Sequence, residues 1–586
     1  MRIGGASGYW GESAMATPQL LAAGVDVLVY DYLAEITMSL LARAKAKDAK
    51  AGFATDFITA SMAPNLAEIA RSGTKVVSNA GGINPLACGE ALRTVIADAG
   101  LALRVAVITG DDLMPQARMI AEMSPNEMFS GASFPPAERL ASMNAYLGAF
   151  PIAQALRDGA DIVITGRCVD SAVTLGALIA HFDWQVEDWD LLAAGSLVGH
   201  ILECGPQATG GNFTDWRDVS NRASIGYPIA DVSSDGSATI TKPEGSGGLV
   251  SIGTVCEQIV YEIGDPGCYL LPDVVCDFRG VQVEQRSRDC VSVSGAKGRP
   301  APLTYKVSAT YADGWRAGLT PTFYGIDADE KARCFAEDVL NRTESALRSA
   351  NLPPLTETSV EVIGSGDLLG TPQPASEVVV KIAARHIDAR GVGLMLKEAA
   401  GMGLASAPGL SGFAGARPKP SPVVRLYSFL LPQEHVAMSI DWGQGAEPFA
   451  PPTRPIPQND EVPPVAVPAH PTEHDLVNVP LIKAAWARSG DKGASANIGV
   501  IARHPDLLPY LWDQLMEDRV EEHFRHVLDG TVQRFAMPGF AAINFLLTEA
   551  LGGGGIASLR ADAQGKGFSQ VMLTLPVRVP QRLIDQ

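Results

Sequence analysis

The sequence predicts an α/β fold: an open, mostly parallel sheet in a large N-terminal region, followed by a small C-terminal α+β sandwich domain. Three observations carry this. Apolar runs such as Val105–Thr109 and Ile162–Thr165 lack polar alternation, which marks strands buried on both faces. Helical patterns separate these runs, as in successive βαβ units. The strand-like segments end in glycine-rich turns, in a chain of 586 residues that holds 59 glycines.

Taken in order, "MRIGGASG" is a short strand ending in glycines. "VDVLVYDYLAE" (Val25 to Glu35) is an apolar run closing on acids, and "ITMSLLARAKAK" is helical. "TKVVSNAGGINP", "LRVAVITGDD" and "ADIVITGRCVD" are three further strands running into turns. Helices are expected at about 85–100, 139–157 and 169–181, which completes a first region over 1–181. Residues 182–409 read as a second α/β region that completes the crevice, with a hairpin at Asp235-Gly236 and a helix over 325–350. Thirteen prolines lie between Pro418 and Pro471, so 410–476 reads as a proline-rich linker or packing arm. Residues 477–586 form the small domain: strand, Asp491-Lys492-Gly493 turn, strand "SANIGVIA", two helices, a strand near 531–537 and a helix over "FAAINFLLTEAL".

The formal net charge of -19 argues against nucleic acid and anionic membrane surfaces as partners. No stretch is long and apolar enough to span a bilayer, and the first residues carry no signal-peptide pattern. Eight cysteines without a CxxC element give neither a disulfide scaffold nor a structural zinc site, so a reducing cytoplasm is the expected compartment. "GGASG" lacks the GxGxxG spacing and no GxxxxGK[ST] stands near these turns, so no nicotinamide or nucleotide triphosphate cofactor is implied.

Ligands of open parallel sheets bind outside the carboxyl ends of the strands. The turns there offer Gly5, Ser7, Glu12, Asn79, Gly81, Gly82 and Asn84 as binding residues, and Asp111 beside Asp112 as an acid. Arg167 could fork onto a ligand carboxylate or phosphate, or pair with Asp170. Asp31 and Glu35 read as solvated acids at a helix start. In "GHILECGPQATGGNF", His200 and Glu203 stand at i and i+3, and a helix would place Cys204 on the same face. Histidine and glutamate at this spacing can share acid/base work; Cys204 is either a buried small residue or part of the site. Gly210 and Gly211 form a further turn. Lys242 could meet an anionic group, and Lys306 is a weaker candidate for the same role. Asp491, Lys492, Gly493 and Asn497 make a polar loop for a ligand or a subunit contact. No metal-binding motif is present.

The motifs "IGGASGYWGES", "YDYLAE", "SNAGGINP", "GADIVITGRCVDSA", "GHILECGPQATGGNF" and "ITKPEGSGG" resemble the acyclic terpene utilisation protein A (AtuA) family, formerly a domain of unknown function. "RSGDKGASANIGV" and "LGGGGIASLRADAQGKG" resemble that family's C-terminal domain. One departure is Glu12, where an aspartate is expected. The resemblance implies a catabolic enzyme of acyclic terpene or related branched-acid degradation, acting on a branched hydroxyacyl-CoA or enoyl-CoA as a lyase or hydratase. The CoA thioester enters as substrate, and no cofactor is firmly implied. His200, Glu203, Asp170 and Asp111 are then the catalytic candidates. The alternatives are a non-catalytic binding or assembly protein of an acyl-CoA pathway and a metal-dependent hydrolase. A homo-oligomer is expected.

Overall fold

A computed structural model describes residues 1–585 except 13, 413–416, 455–461, 463, 472, 474 and 556. Five parallel strands form its centre: β1 (Arg2–Ser7), β2 (Val27–Tyr30), β3 (Lys75–Ser78), β4 (Val105–Thr109) and β5 (Ile162–Thr165). Their order across the sheet is β1-β2-β3-β5-β4. The register sets Tyr30 beside Ser78, Ser78 beside Ile164 and Thr165 beside Ile108. All five strands therefore end at one level.

Their sequences explain why they are central. Val27, Val29, Val77 and Val163 enter one apolar core. Leu28, Val76, Ile162 and Ile164 enter a second core on the opposite face. A strand with both faces covered needs apolar residues at every position, and each fully buried one contributes about 1.5–3 kcal/mol.

Antiparallel strands extend this centre on both sides. Ile229–Val232, Ala238–Thr241, Cys290–Ser294 and Gln282–Ser287 continue beyond β1, so the second region is interleaved with the first. Ser439–Asp441 and Ala446–Pro448 continue beyond β4. A separate antiparallel sheet is built on the long strand Thr304–Leu319, which pairs with Glu377–His386, Ser421–Pro432 and Leu140–Ala145.

Three sequence expectations are corrected. The helix expected over 139–157 is a strand, Leu140–Ala145, followed by a shorter helix, Phe150–Arg157. Pairing with Val307–Tyr311 overrides the local helical pattern. Of the two alternatives for 410–476, a free linker does not hold for Ser421–Pro432, which packs as a strand in register with Thr304–Arg316. Pro422 and Pro432 stand near its ends, and an edge strand tolerates proline there. Much of the most proline-rich part lies outside the described residues. In the small domain, "FAAINFLLTEAL" forms the strand Ala542–Leu547 rather than a helix. It lies between Ser495–Ala502 and Val532–Met537 and pairs with both. The small sheet is antiparallel throughout, and the helices Leu508–Gln514 and Glu517–Phe524 add to its core.

The small domain is docked by buried amides. Asn497 donates to Val260 O at 2.7 Å and accepts from Glu262 N at 2.9 Å. Asn544 donates to Ile263 O and Gly264 O at 2.9 and 2.6 Å. Arg503 forks onto Asp215 at 2.6 and 2.7 Å. Among the described residues, no helix is long and apolar enough to cross a membrane.

Candidate functional site

Because the five parallel strands end together, the residues after them converge. Asp31 follows β2, Asn79 follows β3, and Asp111 and Arg167 stand just past β4 and β5. The helix Trp189–Leu202 then ends over the mouth of β1, with Glu203 as its C-cap. Two glycines permit this approach. A Cβ on Gly5 would lie 2.6 Å from the Leu202 carbonyl oxygen, and one on Gly8 would lie 2.8 Å from the Cys204 backbone.

The result is a cluster of carboxylates. Asp31, Asp170 and Glu203 each bring an oxygen within 4.8 Å of the other two. Asp31 is buried, not solvated as its sequence position suggests, because Asn79 holds it down: Asn79 Nδ2 donates to Asp31 Oδ1 at 2.5 Å. Burial pushes the Asp31 carboxyl well above the usual range; Asp170 and Glu203 add to this, and Arg167 opposes it. Three carboxylates at this spacing could hold a divalent cation. Arg167 Nη1 already donates to Asp170 Oδ1 at 2.8 Å and would compete for that oxygen.

His200 is fully enclosed. Its Nε2 lies 3.2 Å from the Ile259 carbonyl, which can only accept, so Nε2 carries a proton. Its Nδ1 then faces Glu203 Oε1 at 2.9 Å. At that distance the two form an ion pair when His200 is protonated, although Nδ1 makes no aligned hydrogen bond to the carboxylate. Burial pulls the His200 pKa down, but Glu203 outweighs it and the net shift is upward. Burial likewise raises Glu203, against His200. A buried histidine–glutamate pair beside other carboxylates is an arrangement suited to acid/base chemistry.

Arg167 anchors the centre. Its guanidinium donates to Leu33 O at 3.0 Å and lies 4.2 Å from the Tyr146 ring centroid. Glu35, expected to be solvated, accepts from Tyr146 Oη at 2.7 Å and sits 3.7 Å from Lys306. Against the upward push of burial, Lys306 and Arg167 hold the Glu35 carboxyl down at about 2. Lys306, a weak candidate by sequence, thus belongs to this group.

Asp111 accepts from the backbone N of Arg167 and from Asn144 Nδ2, both at 2.8 Å. It positions Arg167 from beneath. Burial raises its pKa to about 6. A carboxyl raised on folding destabilises the protein as pH climbs from the ordinary Asp value through that figure. Asp111→Asn should therefore gain stability relative to the parent between pH 4 and pH 7. The gain should reach about 3 kcal/mol, the free energy that corresponds to a rise from 3.8 to about 6. Urea melts of both proteins across that interval check the sign.

The remaining sequence candidates lie around this centre. Ser7 donates to Tyr9 O at 3.2 Å at the end of β1. Glu12 accepts from Gly8 N at 2.7 Å and from Tyr227 Oη at 2.6 Å, which closes its loop. Asn84 holds Ala49 O and Ala51 O, on the far side of its turn. Gly81 packs on the Thr165 carbonyl and Gly82 on Leu41, while Gly210 and Gly211 turn the chain after Gly205–Thr209. Lys242 is buried, bonded to Ser246 O at 3.0 Å with Asp289 at 3.3 Å, so it is neutralised locally. Cys204 falls beyond the helix, and burial with Glu203 and Glu262 pushes its thiol well up, which opposes a thiolate nucleophile.

Sequence reasoning named Asp491 and Lys492 as a polar loop but missed Glu262 and Lys566, the charges that meet it between the large region and the small domain. Lys566 Nζ lies 3.1 Å from Glu262 and 3.0 Å from Asp491. Glu262 and Lys492 both act on the His200 charge, in opposite senses. The polar loop at Asp491-Lys492 is thus a neighbour of the acid/base pair. The only signal for it was "GDKG" and "QGKG", glycines flanking charge.

Comparison with known proteins adds two findings. A family model described as acyclic terpene utilisation family protein AtuA matches residues 1–442. One described as the AtuA ferredoxin-like domain matches residues 479–578. No curated protein and no solved structure matches the chain.

Proposed function

The chain belongs to the acyclic terpene utilisation AtuA family, and on that premise we propose that it is a lyase or hydratase acting on a branched hydroxyacyl-CoA or enoyl-CoA. Family membership implies a role in acyclic terpene utilisation; the reaction is our reading. The single observation that carries it is the buried His200–Glu203 contact at 2.9 Å, set among Asp31 and Asp170.

Both reactions need a group that takes a proton and returns one. In carbon–carbon cleavage, Glu203 takes the β-hydroxyl proton, with the enclosed His200 behind it as its partner. The Cα–Cβ bond breaks, its electrons pass to the thioester as an enolate, and the enolate is reprotonated at Cα. In dehydration, Glu203 takes the α-proton and the hydroxyl leaves as water with a proton from a neighbouring acid. Asp31, whose pKa is raised by burial, is suited to supply that proton. Arg167 is suited to offset the developing negative charge. Asp170 orients Arg167, and Asp111 holds its backbone.

The test is incubation of the full-length protein with a panel of branched hydroxyacyl- and enoyl-CoA thioesters, read by mass. Gain or loss of water identifies a hydratase, and cleavage to a shorter acyl-CoA plus a carbonyl fragment identifies a lyase. No mass change with any branched thioester would overturn the proposal in favour of a non-catalytic binding or assembly role. A second reading, a metal-dependent hydrolase, is favoured by the three carboxylates within 4.8 Å. Release of free CoA that stops on chelation would support it.

A further inference from the structure

The antiparallel sheet built on Thr304–Leu319 carries a cavity of about 360 Å³ that shares no lining residue with the carboxylate cluster. That volume falls within the range of small-molecule sites. Three arginines line it, Arg139, Arg385 and Arg425, together with Asp313, Glu357 and the exposed side chain of Ile387.

Asp313 alone faces all three guanidiniums. Its carboxylate is 2.5 Å from Arg385, 2.8 Å from Arg425 and 3.4 Å from Arg139. Glu357 reaches only Arg385, at 3.1 Å. Three cations thus share two anions in the lining. A fourth arginine stands close by: burial lowers the Arg316 pKa, and Arg385 and Arg43 lower it further. The buried Nε of Arg385 has no hydrogen-bond partner. Gathering like charges in this way opposes folding, and it occurs here in a chain of net charge -19.

The geometry points to a binding site for a phosphate group carried by a small organic molecule, gripped by Arg139 and Arg425 with Arg385 behind them. A tetrahedral phosphate presents several oxygens to several guanidinium forks, whereas a planar carboxylate fills one fork. Ile387, 65% exposed at the wall, offers an apolar surface to the organic part. Arg139 and Arg425 remain partly exposed, which leaves their donors within reach of an entering ligand. The site stands whether or not the carboxylate cluster is catalytic.

The test is calorimetric titration of the full-length protein with inorganic phosphate, adenosine 5′-monophosphate, adenosine and citrate. Both phosphate-bearing probes should bind and adenosine should not, with citrate weaker than either. Tighter binding of the nucleotide identifies an organic phosphate as the ligand; equal binding identifies free phosphate. Arg139→Gln and Arg425→Gln should each weaken phosphate binding by about tenfold. Their thermal melts without ligand should remain cooperative and above the titration temperature, which separates lost binding from lost folding. No binding of either phosphate probe, equal binding of adenosine, or unchanged affinity in both variants would overturn the proposal.

Discussion

Glu203→Gln is expected to lower kcat/KM for the proposed thioester substrate by about 100- to 10,000-fold while leaving the fold intact, because it removes one half of the proposed acid/base pair. The amide keeps the shape of the carboxyl and can donate to His200 Nδ1, so the local packing survives. The charge does not survive, and this gives a second readout. Burial lowers the His200 pKa and Glu203 raises it above its ordinary 6.5. Without that carboxylate the downward push prevails, even with Glu262 still raising and Lys492 lowering it. The base form of His200 would then appear at lower pH, and the rising limb of the pH–rate profile should move toward acid. A variant with undiminished turnover, or with a reduced rate and an unmoved limb, would remove the pair from the mechanism.

The sequence made part of this site legible for a definite reason. His200 and Glu203 stand at i and i+3 on one chain segment, and helical spacing brings such residues together. Arg167 and Asp170 were readable in the same way. Asp31 was not. Its burial depends on Asn79, which arrives from a strand that the sequence cannot place beside it. The contact of Glu35 with Lys306 escaped for the same reason, because it joins the start of the helix Glu35–Lys47 to a strand of the separate antiparallel sheet. The parallel centre of the fold was readable because continuous apolar runs have one explanation. Leu140–Ala145 reads as helix because its pairing partner is distant in the chain, and Ala542–Leu547 does so although one of its two partners, Val532–Met537, is the preceding strand. The edge strand at Ser421–Pro432 was obscured by proline, whose positions near the strand ends only the register reveals.

Arg167→Ala should be the most destabilising substitution in the cluster, by about 3–5 kcal/mol at neutral pH. The side chain is 4% exposed and holds Leu33 O and Asp170, so alanine leaves an unpaired acid cluster as well as a void. The pH dependence follows from Asp31. Its carboxyl is already raised by burial, and Arg167 is the cation that opposes the rise. Removing that cation lifts it further, so Asp31 takes up a proton at higher pH in the variant. The deficit should therefore be largest at neutral pH and shrink as the solution is acidified and the cluster becomes neutral. Paired denaturant melts measure it, and a loss below about 1 kcal/mol would mean that water already screens the cluster.

The level ends of the five parallel strands have a kinetic meaning. The groups that act on the His200–Glu203 pair range from Asp170, just past the fifth strand, through Glu262 to Lys492 in the small domain. No local folding event can assemble them. Contacts of such long sequence separation form late, after the loops between them have closed. A chain with its helices formed but its strands not yet in order would hold these acids apart in water, each with an ordinary proton affinity. The proposed proton-transfer chemistry would thus be a property of the finished fold, and a half-folded chain would be catalytically silent.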